Sequence, residues 1–462
     1  MSRGLRRNAF PAKPEDSLGY DLPVIQLTDL QVRTLGECHF DSPLAKYVGS
    51  RSTNEYYVAE EDRILYDDTV AMINARDVPL SQLPSFETGG PRRKLFFEPG
   101  RTRVGIVTCG GLCPGLNDVI RAVVLELHAH YGIDDVTGFR HGYAGLVPAL
   151  GHPTVRLTSG SVDKINERGG TVLGTSRGAQ DPAAIVDRLE ELGLDILFVI
   201  GGDGSMRGAH NISTEIERRG LTVGVVGIPK TIDNDIAHIG QSFGFQTAFS
   251  EAARSITAAR VEAEAAVGGV GLVKLMGRHA GFIACYAALA NHDADFVLIP
   301  EIPFALDGPN GLLSSLAQRV KERGSAVIVV AEGAGQELLA TNDSTDASGN
   351  TVLSDIGSFL REAITDDFAG RGEPLTMRYI DPGYAIRSVP ADASDSVYCA
   401  RLAQTAVHAA MSGRTDMVVG RRRHRFVHVP IPVVTQGSHN VAPDGDLWLS
   451  VLESTAQPLS ME

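Results

Sequence analysis

From Arg103 onward the chain alternates short, strongly apolar runs with longer stretches of helical periodicity. RVGIVT leads through a glycine-rich turn into NDVIRAVVLELHAH, and DILFVIGG leads into GDGSMRGAHNISTEIERRG. TVGVVGIP runs through KTIDND into FQTAFSEAARSITAARVEAEA, and GVGLVKLM precedes GRHAGFIACYAALA, ADFVLIPE and SAVIVVAEGA. Runs of β-branched residues alternating with helices predict βαβ units and parallel sheets buried on both faces. The units are too many for one small domain. The expected fold is α/β: two Rossmann-like lobes with mostly parallel sheets and a cleft between them, plus an N-terminal extension. Residues 101–243, completed by 388–430, would form one lobe; residues 244–387, completed by 431–462, would form the other. Residues 1–100 show scattered Pro and charge instead (PAKPED, AEEDRILYDD, TGGPRRKLFFEPG). They read as an extension packed on the body, with a short disordered tail. TNDSTDASGN has turn composition and reads as a surface loop whose acids match a calcium loop poorly.

Composition narrows the function. The net charge of −14 argues against a nucleic-acid binder, which needs a basic face to displace counterions. Anionic small molecules stay open, because a local cluster of Arg can hold a phosphate in an acidic protein. No apolar run approaches the ~20 residues of a membrane span, and the N-terminus lacks the apolar core of a signal peptide. The five cysteines (Cys38, Cys109, Cys113, Cys285, Cys399) have neither disulfide-framework nor zinc-ribbon spacing. They read as packing residues in a reducing, cytoplasmic setting.

Open α/β sheets bind ligands at the carboxyl ends of their strands, and four such junctions carry chemistry. In TCGGLCPGLND, Gly110, Gly111 and Gly115 let the backbone approach a phosphate, and the next helix offers free N–H groups. The loop matches neither the P-loop nor the dinucleotide fingerprint, and serves equally as a plain turn. In IGGDGS, Asp203 among glycines suggests a Mg²⁺ between carboxylate and phosphate, or simply a cap on the following helix. In IPKTIDND, Asp233 and Asp235 follow Lys230 and Thr231. One acid can serve as general base toward a hydroxyl while the other orients it or reaches a metal. In LMGRHAGF, Gly277 and Gly281 bracket Arg278, suited to bidentate phosphate binding; His279 is assigned no role. Together these features indicate phosphoryl transfer to a hydroxyl of an anionic acceptor.

Taken in order, GGLCPGLN, LGTSRG, GGDGS, PKTIDND, MGRHAGF, PEIPF, AEGAGQE and YIDPGYAIR resemble the phosphofructokinase family, from about Arg103 to Arg414. RRKLFFEP and the extension look like its longer plant and trypanosomatid branch. The resemblance implies transfer from Mg-ATP to the 1-hydroxyl of fructose 6-phosphate, in a homo-oligomer (dimer or tetramer). Gly110, Arg177, Gly178, Gly202, Asp203, Gly204, Ser205 and Lys230 would then line the donor phosphates, with Asp203 on Mg²⁺ and Arg177 stabilising the transferring group. Thr231, Asp233 and Asp235 would meet the sugar, Asp233 as base. Met276, Gly277, Arg278, Glu332, Arg378, Tyr384 and Arg387 would hold the sugar phosphate.

Two positions depart from the short bacterial members. VGGVGLVK lacks their upstream Arg that reaches a neighbouring subunit's substrate, and Lys230 replaces their Gly. Pyrophosphate is the rival donor. Lys230 is a feature of pyrophosphate users, but Gly204 leaves room for an α-phosphate where those relatives commonly carry Asp. A silent regulatory subunit would need a lost base or metal ligand, yet Asp203, Asp233 and Arg387 are all present.

Overall fold

The structure is a computed structural model that describes residues 25–47, 56–75, 78–340, 344–345 and 351–461. The expected disordered tail lies outside the described residues, as does most of the TNDSTDASGN loop. The described elements that position the site are, in chain order, β1 (Arg63–Leu65), β2 (Ser85–Thr88), β3 (Val104–Thr108), α1 (Leu116–Tyr131), β4 (Val136–Phe139), β5 (Thr154–Arg156), β6 (Ile196–Gly201), α2 (Asp203–Arg218), β7 (Gly224–Pro229) and α3 (Phe245–Glu264). They continue with β8 (Gly269–Leu275), α4 (Phe282–Asn291), β9 (Phe296–Leu298), β10 (Ser325–Ala331), β11 (Thr376–Ile380), α5 (Ala393–Met411), β12 (Met417–Arg422) and β13 (Arg425–Pro430).

Two sheets organise the chain. The larger has the order β1-β2-β13-β12-β7-β6-β3-β4-β5 and the smaller β9-β10-β8-β11. The smaller is wholly parallel. In the larger, β12, β7, β6, β3 and β4 are parallel, while both flanks are antiparallel. The expectation of parallel sheets therefore holds at the centre, where ligands bind, and not at the edges. Alternation along β6 explains its continuous apolar run. Ile196, Phe198 and Ile200 face one helical layer, and Leu197 and Val199 the other. In β8, Val273 and Leu275 join the central core, while Val270 and Leu272 join the second lobe's own core.

From β3 the chain passes to β4 on one side and later to β6 on the other, so direction reverses at the β3/β6 boundary. The smaller sheet reverses around β8. Such switch points leave a crevice beyond the strand ends, and both motif sets fall there.

The extension is part of the larger sheet. β2 pairs antiparallel with β13, setting Glu87 opposite His428. Glu87 accepts hydrogen bonds from Arg92 at 2.8 Å, Arg414 at 2.9 Å and His428 Nδ1 at 3.1 Å. Burial pushes the Glu87 carboxyl up, but the His428 bond and the two guanidiniums outweigh it and hold it well below the carboxylate range. His428 is itself pushed down by burial, against the pull of Glu87, and the Arg92 and Arg414 guanidiniums pair with the carboxylate. A depressed folded pKa stabilises the fold above the unfolded value of about 4.3 and loses that contribution as pH falls. Glu87→Gln is thus expected to cost ~3–5 kcal/mol at pH 7 by leaving buried cations without their carboxylate. The gap to wild type should narrow on acidification, as denaturant melts at pH 7 and pH 4 would measure.

Candidate active site

The first cradle grows out of β3. One residue past its end, the Cys109 N–H still donates to Ile200 O at 2.8 Å, keeping the loop against β6. Gly110 turns with φ 85°, a conformation that favours glycine. Its N–H donates to Ser176 O at 3.1 Å, and the Thr175 hydroxyl donates to Gly110 O at 2.5 Å. The LGTSRG segment is thereby fixed beside the loop, and a Cβ on Gly111 would lie 3.7 Å from the Arg177 guanidinium. Gly178 follows with φ 98°.

The second cradle lies at the next strand end. Gly202 is the N-cap of α2, and Asp203 is its first residue. The opening N–H groups and dipole of a 16-residue helix therefore face the crevice. A Cβ at Gly110 would stand 3.7 Å from Lys230 Nζ and 3.9 Å from Ser205 Oγ, so three separate loops converge on one phosphate-sized space. Lys230 is buried, and burial pushes its ammonium pKa down while Cys113, Cys109, Asp233 and Asp235 oppose that. Burial pushes the Asp203 carboxyl up, countered by its ion pair with Arg207 one turn on. A Cβ on Gly204 would meet only that guanidinium, at 4.0 Å.

The TIDND loop leaves β7 and is pinned by its own side chains. The Thr231 hydroxyl donates to Asp235 Oδ1 at 2.8 Å and accepts the Asp233 N–H at 3.1 Å. Asn234 takes φ 58°, and its side chain accepts the Ser242 N–H at 2.9 Å. Ser242 in turn donates to Thr231 O at 2.7 Å. Within this frame Asp233 Oδ1 is buried with no hydrogen-bond partner. Burial pushes the Asp233 carboxyl well above its ordinary range, and Asp235 and Glu332 add to that; the Arg278 backbone N–H and Lys230 only partly oppose it. A desolvated carboxyl with one oxygen left free is how a general base is poised.

The second lobe supplies the facing wall. Glu332 N–H donates to Leu275 O at 2.9 Å, and Gly333 N–H donates to Gly277 O at 3.0 Å. A Cβ on Gly333 would fall 1.9 Å from Arg278 O, so glycine is required for the two strand ends to meet. Met276, Gly277, Arg278 and Glu332 are brought together in this way. Burial pushes the Glu332 carboxyl up, Arg278 and Lys274 draw it down, and Arg387 acts in the same direction. Arg387 lies over the Tyr384 ring at 4.7 Å, and Tyr384 is 80% exposed. Arg378 stands apart. It pairs in register with Gly271, four residues before the end of β8, and forms an ion pair with Glu262 at 3.3 Å.

Two residues that hold the site together escaped the sequence reading. Glu301 accepts from the Gly281 N–H at 3.0 Å and from the Val441 N–H at 2.7 Å, tying the GRHAG turn to the C-terminal segment. His439 donates its backbone N–H to Asp235 O at 2.8 Å, and its ring lies 3.1 Å from Asn234 O. Glu301 carried a usable signal, an acid closing the apolar run FVLIP. His439 carried none. Cys109 and Cys113 are buried free thiols; burial pushes Cys109 up to about 12 and Cys113 higher still, which fits packing.

Two glycine-rich cradles, a buried lysine, a desolvated carboxyl and a facing arginine wall make an α/β site suited to phosphoryl transfer. A model of the phosphofructokinase family matches residues 103–410. An ATP-dependent 6-phosphofructokinase of Amycolatopsis methanolica is 55% identical, over 94% of this chain and 96% of its own. One from Trypanosoma brucei brucei is 43% identical, over 92% and 87%. The pyrophosphate-dependent phosphofructokinase of Marinobacter aquaeolei, a solved structure, shares the fold with TM-score 0.63. It is 19% identical, over 77% of this chain and 92% of that one. The chain belongs to the phosphofructokinase family.

Proposed function

We propose that this protein transfers the γ-phosphoryl group of Mg-ATP to the 1-hydroxyl of fructose 6-phosphate, giving fructose 1,6-bisphosphate and ADP. The observation that carries this is the buried, partnerless Asp233 Oδ1 between the phosphate cradles and the Arg278–Glu332 wall. Asp233 takes the proton as the hydroxyl attacks, and Thr231 and Asp235 hold the loop in register. Gly110, Gly178 and Gly202–Ser205 receive the donor phosphates. Arg177 and Lys230 offset charge on the transferring group. Met276, Gly277, Glu332 and Tyr384 enclose the sugar, with Arg278 and Arg387 on its 6-phosphate. Arg378 takes no part within this subunit. The relatives named ATP-dependent 6-phosphofructokinases support ATP as donor.

The donor set fits Mg²⁺. Among the described residues no three His, Cys, Asp or Glu side chains form a metal cage. An ion held by Asp203 alone would complete its shell with phosphate oxygens and water, as Mg²⁺ usually does. Bound there, it would neutralise donor-phosphate charge. The buried free cysteines suit a cytoplasmic setting, and a homo-oligomer, dimer or tetramer, is the proposed assembly. Among the described residues no helix is long and apolar enough to cross a membrane.

Pyrophosphate is the second reading, because Lys230 at the cradle can serve either donor. A coupled assay with fructose 6-phosphate should show turnover with ATP and little with pyrophosphate; the reverse would overturn the proposal. Arg278→Ala and Arg387→Ala should raise KM for the sugar phosphate roughly 10- to 150-fold, the worth of a charge-assisted contact. KM for ATP should move little. Loss of ATP binding with sugar binding intact would mean that the two pockets are assigned the wrong way round.

A further inference from the structure

Residues other than glycine seldom take left-handed backbone angles, and one that does must be held there by its surroundings. Asn234 is such a residue, with φ 58°. It directly follows Asp233, so any relaxation at 234 re-aims the Asp233 carboxyl. The hold comes from two sides. Inside the loop, the Asn234 side chain accepts the Ser242 N–H at 2.9 Å. From outside comes the C-terminal segment. Ser438 bridges antiparallel to Ile236, and the His439 N–H donates to Asp235 O at 2.8 Å. His439 Nδ1 lies 3.1 Å from Asn234 O. A carbonyl oxygen only accepts, so the proton of that bond sits on Nδ1.

The same ring reaches the other lobe. It packs on Phe282 with 4.5 Å between centroids, at 43°. Phe282 is the buried first residue of α4, just behind the turn that carries Arg278. Further along the segment, the Val441 N–H donates to Glu301, the carboxylate that also takes the Gly281 N–H. Residues 438–441 therefore hold the TIDND loop on one side and the GRHAG turn on the other. Those two pieces meet at the chemistry, where the Arg278 backbone N–H faces the Asp233 carboxyl. Imidazole supplies both contacts in one side chain, a donor at its edge and a flat face for a ring. We propose that His439 is a positioning residue, which aims Asp233 through its bond to the Asn234 carbonyl and seats the Arg278 turn through its stack on Phe282. The inference rests on the reading of Asp233 as base.

The test separates the two contacts in the full chain. His439→Phe keeps a ring on Phe282 and drops the donor. His439→Asn places an amide N–H close to the Nδ1 position and drops the ring, whereas His439→Gln carries its amide too far out. His439→Phe and His439→Gln should lose roughly tenfold or more in kcat, the scale on which a small misplacement acts, with KM for ATP little changed. His439→Asn should recover kcat to within about threefold of wild type, because the hydrogen bond is retained. It should instead raise KM for fructose 6-phosphate, since the Arg278 turn has lost its seat. A second readout needs no turnover. Without the bond from His439, Asp233 gains solvent and its folded pKa falls back toward the ordinary value. The rise in melting temperature that Asp233→Asn brings at pH 8 should then shrink by roughly half or more in the His439→Phe background. An inactive wild type would end the reading of Asp233 as base, and the melting arm would still judge the positioning. Should His439→Phe fail to fold, His439→Gln replaces it in both arms. Wild-type kcat in His439→Phe and His439→Gln, or an undiminished effect of Asp233→Asn on melting, would overturn the proposal. So would His439→Asn no faster than His439→Gln, with all variants melting equally low, since His439 would then serve packing alone.

Discussion

Asp233→Asn is expected to keep fructose 6-phosphate affinity and lose ~10²–10⁴ in kcat, the usual worth of a general base. The amide preserves shape and can still accept a hydrogen bond, so the fold and KM should change little. Stability should move the other way. The folded pKa of Asp233 is raised by burial and by Asp235 and Glu332, so the native state holds this proton more tightly than the unfolded chain. Wild type therefore loses stability as pH climbs from the unfolded value of about 3.9 toward the raised one. The amide carries no such penalty. Melting temperatures of the variant should exceed those of wild type at pH 8 and converge with them near pH 4. A variant that keeps more than half of wild-type kcat, or melts lower than wild type at pH 8, would remove Asp233 from its role.

Gly204→Asp should fold normally and lose ~10²-fold or more in kcat/KM with ATP. A side chain there meets only Arg207, at 4.0 Å from its Cβ, so the protein has room for it. The cost appears when the donor binds. A carboxylate beside an α-phosphate is a like-charge contact in a partly desolvated crevice, worth a few kcal/mol. Fructose 6-phosphate affinity should hold. An unchanged ATP profile would mean that the nucleoside end does not pass this position.

The strand-end loops were legible because each motif is local. An apolar run states where a strand ends, and the glycines and acids that follow must lie at its carboxyl edge. That logic located Gly110, Asp203, Asp233 and Arg278, all of which lie in the two crevice walls. Arg378 came from the resemblance alone, because a residue inside a strand has a face but no end to fix its neighbours. The extension's strands were invisible for a different reason. Arg63–Leu65 and Ser85–Thr88 are too short to show periodicity, and β2 finds its partner some 340 positions away. The β12–β13 turn also lacked its usual marker. Arg423 and His424 take φ 48° and 67° where Asn-Gly would be expected.

The pairing of β2 with β13 also constrains biosynthesis. Residues 85–88 leave the ribosome some 340 residues ahead of the strand they join, 425–430. The buried Glu87 cluster, which needs Arg414 and His428, cannot close until those residues have emerged. The early segment must therefore wait with an unsatisfied strand edge, the condition under which nascent chains mispair and recruit chaperones.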